Sequence, residues 1–191
     1  MVRNMFTIIL LMMVLQMKGQ QHHSDGVDDC LQYVPYAAAV TLKGCGVESN
    51  SDWPQFMATA VGSWVVSAGV AYTLKHNVRE WRPDHSDRRS FPSGHSTFAF
   101  AGATVLLHEY GQVSPWIPIG GYAVATLTAA DRVRRDRHHW YDVASGAAIG
   151  ILSTELTYYV SRSLLGKNRQ SRSQQLTMGL TPQGVNLAYQ W

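Results

Sequence analysis

Four apolar segments, each almost free of charged residues, dominate residues 54–160 and limit the fold more than any other feature. They cover 54–74, 96–110, 116–130 and 143–160. Apolar residues occur nearly all round each segment, which is typical of helices that are buried or face lipid. Gly, Ala, Ser and Thr are frequent in these segments, and such small side chains let helices pack closely. We therefore predict an all-α protein, built as a compact helical bundle.

The residues that flank these segments are typical of helix ends. Pro54 suits a first helical turn, Ser93 suits a cap before the second segment, and Gly111 suits its end. The length of 191 residues fits one domain, whose helical core we place at residues 53–165. Some segments are long enough to span a bilayer and others are too short, so soluble and membrane-bound bundles both stay open. We favour the membrane-bound bundle.

Residues 1–19 have the layout of an export signal. Arg3 precedes a short apolar stretch, residues 6–15, and a polar run begins at Lys18. The apolar stretch is too short to cross a bilayer comfortably, but it suits a signal peptide. Met17 is large for a position three residues before a cleavage site, so an uncleaved anchor is the alternative. Either form places the body of the protein outside the cytoplasm.

The N-terminal segment, residues 20–52, contains both cysteines of the chain, Cys30 and Cys45. In an oxidising compartment, an isolated pair of cysteines at short separation favours a disulfide. Two free thiols are the alternative. Because the export signal and the even number of cysteines agree, we expect a Cys30–Cys45 disulfide.

The C-terminal segment, residues 166–191, follows the helical core, and we expect its last part to be a hairpin packed on the bundle; a strand that contacts lipid or a partner is the alternative. The segment begins with a polar and basic stretch, residues 167–175, which we interpret as a linker. Apolar residues then alternate with polar ones on both sides of Thr181-Pro182-Gln183-Gly184. This pattern predicts a short β-hairpin at the end of the chain.

Basic residues concentrate in two loops, residues 79–89 and 132–137. The net charge is only +3, and the basic face or stripe that nucleic-acid binding requires is missing from the sequence. We therefore expect no nucleic-acid partner. The loops carry three motifs that suit a phosphate group instead.

The first motif is Pro92-Ser93-Gly94-His95. If Ser93 caps the helix behind it, the first backbone N–H groups of that helix have no internal partners and its dipole favours an anion. Gly94 lets the backbone approach a ligand, and His95 would stand beside that ligand. An ordinary proline-serine-glycine turn with an incidental histidine is the alternative.

The second motif places Lys75 and Arg79 near the end of an apolar helix, with Arg82 just before Pro83. A residue that precedes proline is biased out of the helix, so Arg82 is expected in an extended turn. Its guanidinium can bind two phosphate oxygens, and Lys75 adds a point charge. Solvated cations at a helix end are the alternative explanation.

The third motif combines Arg132, His138 and Asp142. If the last helix begins near His138, Asp142 lies one turn further on the same face and can fix the tautomer of the imidazole. The other ring nitrogen is then available as a nucleophile. His139 competes less well for this position. A zinc site is the rival interpretation, but the sequence offers no second ligand cluster and the nearby arginines would repel a cation. We expect no metal and no other cofactor.

Taken in order, Lys75-x6-Arg82-Pro83, the Pro-Ser-Gly-His turn and Arg132-x5-His138-x3-Asp142 resemble the type 2 phosphatidic acid phosphatase superfamily. The resemblance covers about residues 53–159. It implies that His138 is the nucleophile, that Asp142 orients it and that His95 is the general acid. It further implies that the phosphate is held by a set of five residues: Lys75, Arg82, Ser93, Gly94 and Arg132. One departure is Asp131, where the family usually has serine before the arginine.

The resemblance implies a metal-independent phosphatase that acts on a membrane lipid outside the cytoplasm, on the periplasmic side of a bacterial membrane. The short layout and the His-His-Trp sequence of the third motif are similar to lipid A phosphatases. Phosphatidylglycerophosphate, phosphatidic acid and undecaprenyl pyrophosphate are competing substrates. A soluble acid phosphatase is the next alternative, a vanadium haloperoxidase is disfavoured by the short chain, and a non-catalytic anion-binding membrane protein is the non-enzyme alternative.

Overall fold

The structure is a computed structural model that describes residues 28–173, 177–181 and 184–188. It is a helical bundle, as the apolar segments predict. Its helices are α1 (Asp28–Leu31), α2 (Val34–Gly44), α3 (Trp53–Asn77), α4 (Gly94–Tyr110), α5 (Trp116–Arg134) and α6 (Trp140–Ser173). The proposed signal segment and its cleavage fall outside these residues and stay a prediction.

Helix α4 is the central helix and packs against α2, α3, α5 and α6. Its alanines Ala99, Ala101 and Ala103 are fully buried, so neighbouring helices approach its backbone closely. Gly150 of α6 faces this surface, where an added Cβ would lie 2.9 Å from the backbone nitrogen of Ala101. Close packing through small residues therefore holds α4 in the middle of the bundle.

The helix boundaries follow local signals at some ends and not at others. Asp52 caps α3 by accepting a hydrogen bond from the backbone N–H of Gln55 at 3.0 Å. At the other end of the chain, α6 continues to Ser173, through most of the stretch expected to be a linker. That expectation was wrong because Lys, Arg and Gln are good helix formers, so a polar composition does not by itself end a helix.

The structure contradicts the expected Cys30–Cys45 disulfide. Both thiols are free and both residues are exposed. Helix α2, with 11 residues, lies between them. At a rise of about 1.5 Å per residue, this helix separates its two ends by roughly 16 Å. A disulfide needs Cα atoms within about 7 Å, so the short separation in sequence becomes a long one in space.

The predicted C-terminal hairpin is present in the described backbone. Strand β1 (Thr177–Thr181) pairs antiparallel with β2 (Gly184–Ala188). Thr181 lies opposite Gly184, so the strands pair on either side of the position that the sequence indicated.

A buried polar cluster fastens the far end of α4. Glu109 is 1% exposed and accepts hydrogen bonds from the Ser51 backbone N–H at 3.1 Å, the Ser51 hydroxyl at 2.9 Å and the Tyr158 hydroxyl at 2.8 Å. These bonds tie α4 to α6 and to the segment before α3. Because its donors satisfy a buried carboxylate, the cluster fixes how the helices pack at this end.

Among the described residues, one helix is long and apolar enough to cross a membrane. This helix is α3, whose most apolar stretch has a mean hydropathy of 1.3 and is only 33% buried. Large apolar side chains are also exposed on the outer face of α6, at Leu152, Leu156 and Tyr159. Contiguous exposed apolar surface of this kind is typical of proteins that associate with a membrane.

Candidate active site

The three sequence motifs lie at one end of the bundle. The Ser93 backbone N–H donates to the Asp142 carbonyl at 3.0 Å, which joins the starts of α4 and α6. The Lys75 Cε would lie 3.9 Å from a Cβ on Gly94, so the end of α3 reaches the same place. Arg132 is in the last turn of α5. The fold therefore brings together groups that are up to 67 residues apart in sequence.

Ser93 forms the helix cap that the sequence predicts. Its side chain accepts from the Ser96 backbone N–H at the start of α4, and Ser93 itself is fully buried. The first N–H groups of α4 have no partner within the helix, and the helix dipole makes this end attractive to an anion. Gly94 and His95 form the first turn there, and His95 is 8% exposed. This end of α4 can therefore hold a phosphate oxygen.

His138 lies beside Asp142, but not in the way the sequence suggested. Helix α6 begins at Trp140, so His138 precedes the helix. The Asp142 carboxylate turns back and accepts from the His139 backbone N–H at 2.9 Å, and His138 Nδ1 lies 3.5 Å from the same oxygen, Oδ2. Because Nδ1 faces the carboxylate, Nε2 of His138 is the ring nitrogen left for a substrate.

The side chain of His139 competes for the same carboxylate. Its Nδ1 is also 3.5 Å from Asp142 Oδ2. The difference between the two histidines is burial, since the side chain of His138 is 2% exposed and that of His139 is 33% exposed. His138 therefore occupies the enclosed position and His139 the outer one.

The protonation states of this pair follow from burial and neighbouring charge. Burial lowers the pKa of His138 to about 4, and the charges of Lys75, Arg82 and Arg132 act in the same direction against the opposing effect of Asp142. Burial alone would raise the pKa of Asp142, but hydrogen bonds from His138 and other donors lower it to about 2. Near neutral pH, His138 is therefore an uncharged imidazole next to an ionised carboxylate.

The three predicted cations, Lys75, Arg82 and Arg132, lie close enough to His138 for their charges to lower its pKa. Arg132 is 8% exposed. Arg82 pairs with Asp87 at 3.0 Å, and Lys75 donates to the Arg89 carbonyl at 3.0 Å. Three positive charges near one neutral imidazole form a site that favours a dianionic group such as a phosphate.

Asp131, the residue that departs from the family pattern, pairs with two neighbouring arginines. Its carboxylate lies 2.6 Å from a guanidinium nitrogen of Arg134 and 3.9 Å from one of Arg135. Both arginines follow within one helical turn, so the negative charge is neutralised locally.

Two residues that contact the predicted catalytic side chains, Ser90 and Asp29, were not indicated by the sequence motifs. Ser90 is fully buried, donates to Asp142 Oδ2 and lies 3.5 Å from His138 Nδ1. Asp29 Oδ1 lies 2.7 Å from His95 Nε2. Ser90 lies two residues before the first motif, but nothing in the sequence indicates that it contacts Asp142. Asp29 lies in a segment without any motif.

A possible metal-binding group lies at the edge of the site. Ligand atoms of Glu80, His139 and Asp142 are within 4.8 Å of one another, and the Tyr141 hydroxyl donates to Glu80. Glu80, which none of the sequence motifs indicated, supplies an additional ligand to this group. Carboxylate and imidazole groups suit zinc, whereas the positive charges around His138 oppose a cation.

The family model described as the PAP2 superfamily matches residues 55–164 of this chain. The chain belongs to the PAP2 superfamily. The resemblance inferred from the motifs is thus confirmed. The matched range contains the charged and imidazole residues to which the resemblance assigns a role: Lys75, Arg82, His95, Arg132, His138 and Asp142.

Individual relatives agree with this assignment. Lipid A 1-phosphatase of Porphyromonas gingivalis is 35% identical over 148 residues, which are 77% of this chain and 33% of that protein. Lipid phosphate phosphatase 1 of Arabidopsis thaliana is 37% identical over 81 residues, 37% of this chain and 25% of that protein. This PAP2 chain therefore spans about a third or less of the length of these curated relatives.

A solved structure shares the fold. The crystal structure of Aquifex aeolicus LpxE matches with a TM-score of 0.56 and 21% sequence identity, over 69% of this chain and 83% of that one. The helical arrangement described above is therefore an arrangement already seen in a crystal structure.

Proposed function

We propose that this PAP2 protein is a metal-independent phosphatase that removes a phosphate from a membrane lipid through a phosphohistidine at His138. The observation that carries the proposal is the buried pair of His138 and Asp142, with Nδ1 of the imidazole towards the carboxylate. A neutral imidazole held in one tautomer is a nucleophile, and three adjacent cations attract its substrate.

In the first step, Nε2 of His138 attacks phosphorus while the bond to the leaving oxygen breaks. The phosphohistidine ring becomes positively charged, and the Asp142 carboxylate beside Nδ1 stabilises that charge. Lys75, Arg82 and Arg132 hold the phosphoryl oxygens together with the backbone N–H groups at Gly94. In this scheme His95 donates a proton to the leaving oxygen and then takes one from the water that hydrolyses the intermediate.

The proposed substrate class is a lipid phosphate, with lipid A as the first candidate. This choice rests on the Porphyromonas gingivalis relative, a lipid A 1-phosphatase. The exposed apolar faces of α3 and α6 are compatible with a substrate that stays in the bilayer while its headgroup enters the site. We place the site on the periplasmic side, because residues 1–19 have the layout of an export signal.

The test is phosphate release from detergent-dispersed lipid A, phosphatidic acid and phosphatidylglycerophosphate, with EDTA present. The wild type is expected to release phosphate from at least one of them, and His138→Gln is expected to lose about 10³-fold or more of this rate. His139→Gln is the matched control, since it removes the neighbouring imidazole but keeps the backbone N–H that binds Asp142. Equal activity in the wild type and His138→Gln would exclude the assigned nucleophile.

The cluster of Glu80, His139 and Asp142 gives a second candidate, a metal-dependent phosphatase. It predicts that EDTA abolishes phosphate release, that zinc restores it, and that Glu80→Gln is inactive. The metal-independent scheme predicts that EDTA leaves phosphate release unchanged, that added zinc is not needed, and that Glu80→Gln remains active. No phosphate release under any of these conditions would favour a non-catalytic anion-binding protein.

A further inference from the structure

Asp29 contacts His95, one of the predicted catalytic histidines, from outside the residues that the family model matches. Its Oδ1 lies 2.7 Å from Nε2 of His95, although the residues are 66 positions apart. The side chains are 20% and 10% exposed, respectively, so solvent only partly screens this ion pair. The PAP2 match covers residues 55–164, whereas Asp29 belongs to α1 in the N-terminal segment.

The backbone around Asp29 is fixed by local hydrogen bonds and packing. The Gln32 side chain is 1% exposed and donates to the Asp29 carbonyl at 3.0 Å. The Tyr33 backbone N–H donates to the Cys30 carbonyl at 3.1 Å, which closes the turn between α1 and α2. Helix α1 also packs against α4 and α5. The carboxylate is thus presented to His95 by a structured turn.

This contact has a chemical consequence for the imidazole. An ionised carboxylate at hydrogen-bond distance from Nε2 accepts the proton of that nitrogen and favours positive charge on the ring. Nε2 is then engaged, and Nδ1 is the ring nitrogen that can serve a substrate. A departing alkoxide requires a proton, and the Nδ1–H of a charged imidazolium can donate it.

We infer that Asp29 is a positioning residue for His95: its carboxylate binds Nε2–H, so that Nδ1–H is directed to the leaving oxygen of the phosphate ester. The inference rests on the proposed phosphatase function. The N-terminal segment then contributes to catalysis, because it supplies Asp29, the hydrogen-bond partner of His95.

The protons balance through both steps. When Nε2 of His138 bonds to phosphorus, the phosphorus–oxygen bond of the ester breaks and the leaving oxygen takes the proton from His95 Nδ1. His95 is then neutral and still donates from Nε2 to Asp29. In the second step, water attacks phosphorus, its proton goes to His95 Nδ1, and the bond from His138 to phosphorus breaks. Inorganic phosphate leaves and both histidines return to their initial states.

The test uses two soluble esters whose leaving groups differ in their need for a proton. p-Nitrophenolate leaves without protonation, whereas the alkoxide of glycerol phosphate needs an acid. Asp29→Ala is expected to lower the single-turnover rate at which glycerol is released from glycerol phosphate about 10- to 100-fold, part of the 10²- to 10⁴-fold that general acid catalysis contributes. It is expected to lower the single-turnover rate at which p-nitrophenolate is released from p-nitrophenyl phosphate by less than about threefold, because this first step needs no acid. A loss of fold or stability would lower both rates together, so the ratio reports the role of Asp29.

Two comparisons complete the experiment. Asp28→Ala removes the neighbouring carboxylate of the same helix and should leave the ratio of the two rates unchanged. In a His95→Ala background, Asp29→Ala should cause no further loss, because both changes disable one function. Equal loss on both esters, faster turnover of either ester, or additive losses in the double variant would overturn the inference. If the wild type hydrolyses neither ester nor any lipid phosphate, it is the proposed function that fails.

Discussion

Ser90→Ala tests how the buried carboxylate is held. The hydroxyl of Ser90 donates to Asp142 Oδ2, and Ser90 is fully buried. A hydrogen bond to a charged group contributes about 1.5–3 kcal/mol, and water cannot replace this donor at a buried position. For a protein of this length, 1 kcal/mol corresponds to about 2–4 °C in Tm. We therefore expect Tm to fall by roughly 3–12 °C.

The same substitution should also slow the reaction. Asp142 keeps the His139 N–H and the His138 imidazole as partners, so the carboxylate remains ionised but is less firmly oriented. We expect kcat to fall about tenfold, equivalent to about 1.4 kcal/mol in the barrier, with little change in KM. Tm by circular dichroism and steady-state phosphate release give both quantities.

Ser86→Ala is the matched control for this experiment. Ser86 lies in the same loop and hydrogen-bonds a carboxylate, that of Asp84, but it is exposed. Its replacement is expected to change Tm by less than about 2 °C and to leave kcat unaltered, because water replaces an exposed donor. Equal effects of Ser86→Ala and Ser90→Ala, or an unchanged kcat in Ser90→Ala, would refute the reasoning about Asp142.

Three further predictions concern stability, each measured by thermal or chemical unfolding. Glu109→Ala should destabilise the protein by about 3–5 kcal/mol, since the buried donors Ser51 and Tyr158 lose their acceptor. It should leave kcat at low temperature unchanged, because Glu109 is about four helical turns from His95. Gly150→Ala should lower the free energy of unfolding by about 1–3 kcal/mol, because the added methyl group overpacks against α4. Gly120→Ala is the control: its added Cβ meets nothing within 4 Å, so the free energy of unfolding should stay the same or rise. The pKa of His138 is about 4 in the folded protein, below its ordinary value of 6.5, so the unfolded chain takes up the proton first as the pH falls. Stability should therefore drop by up to about 3 kcal/mol from above pH 6.5 to about pH 4, and His138→Gln should lack this part of the dependence.

The local features of the site could be predicted from the sequence because they depend on neighbouring residues. A serine before an apolar helix indicated the cap at Ser93, which the structure contains. The spacing of His138 and Asp142 indicated their contact, although the helix begins later than expected. The Asp142 carboxylate binds the His139 N–H just before the first turn, a contact that the spacing alone did not indicate.

The contacts that join distant segments could not be predicted in the same way. Ser90 reaches Asp142 across 52 residues and Asp29 reaches His95 across 66, and no periodicity encodes such distances. The disulfide prediction failed for a related reason, because separation along the chain ignores the rigid helix between Cys30 and Cys45. Single-sequence patterns report on one element at a time, while these features depend on how elements pack.

The phosphohistidine is the central claim, and rapid quenching can detect it. His95→Ala should form the intermediate from p-nitrophenyl phosphate, which needs no acid, but hydrolyse it slowly without a base, so the intermediate should accumulate. Peptide mass spectrometry after alkaline quenching is predicted to find the acid-labile phosphate on His138 and to find none in the His95→Ala, His138→Gln double variant. Phosphate on another residue, or sustained turnover by His138→Gln, would contradict the mechanism.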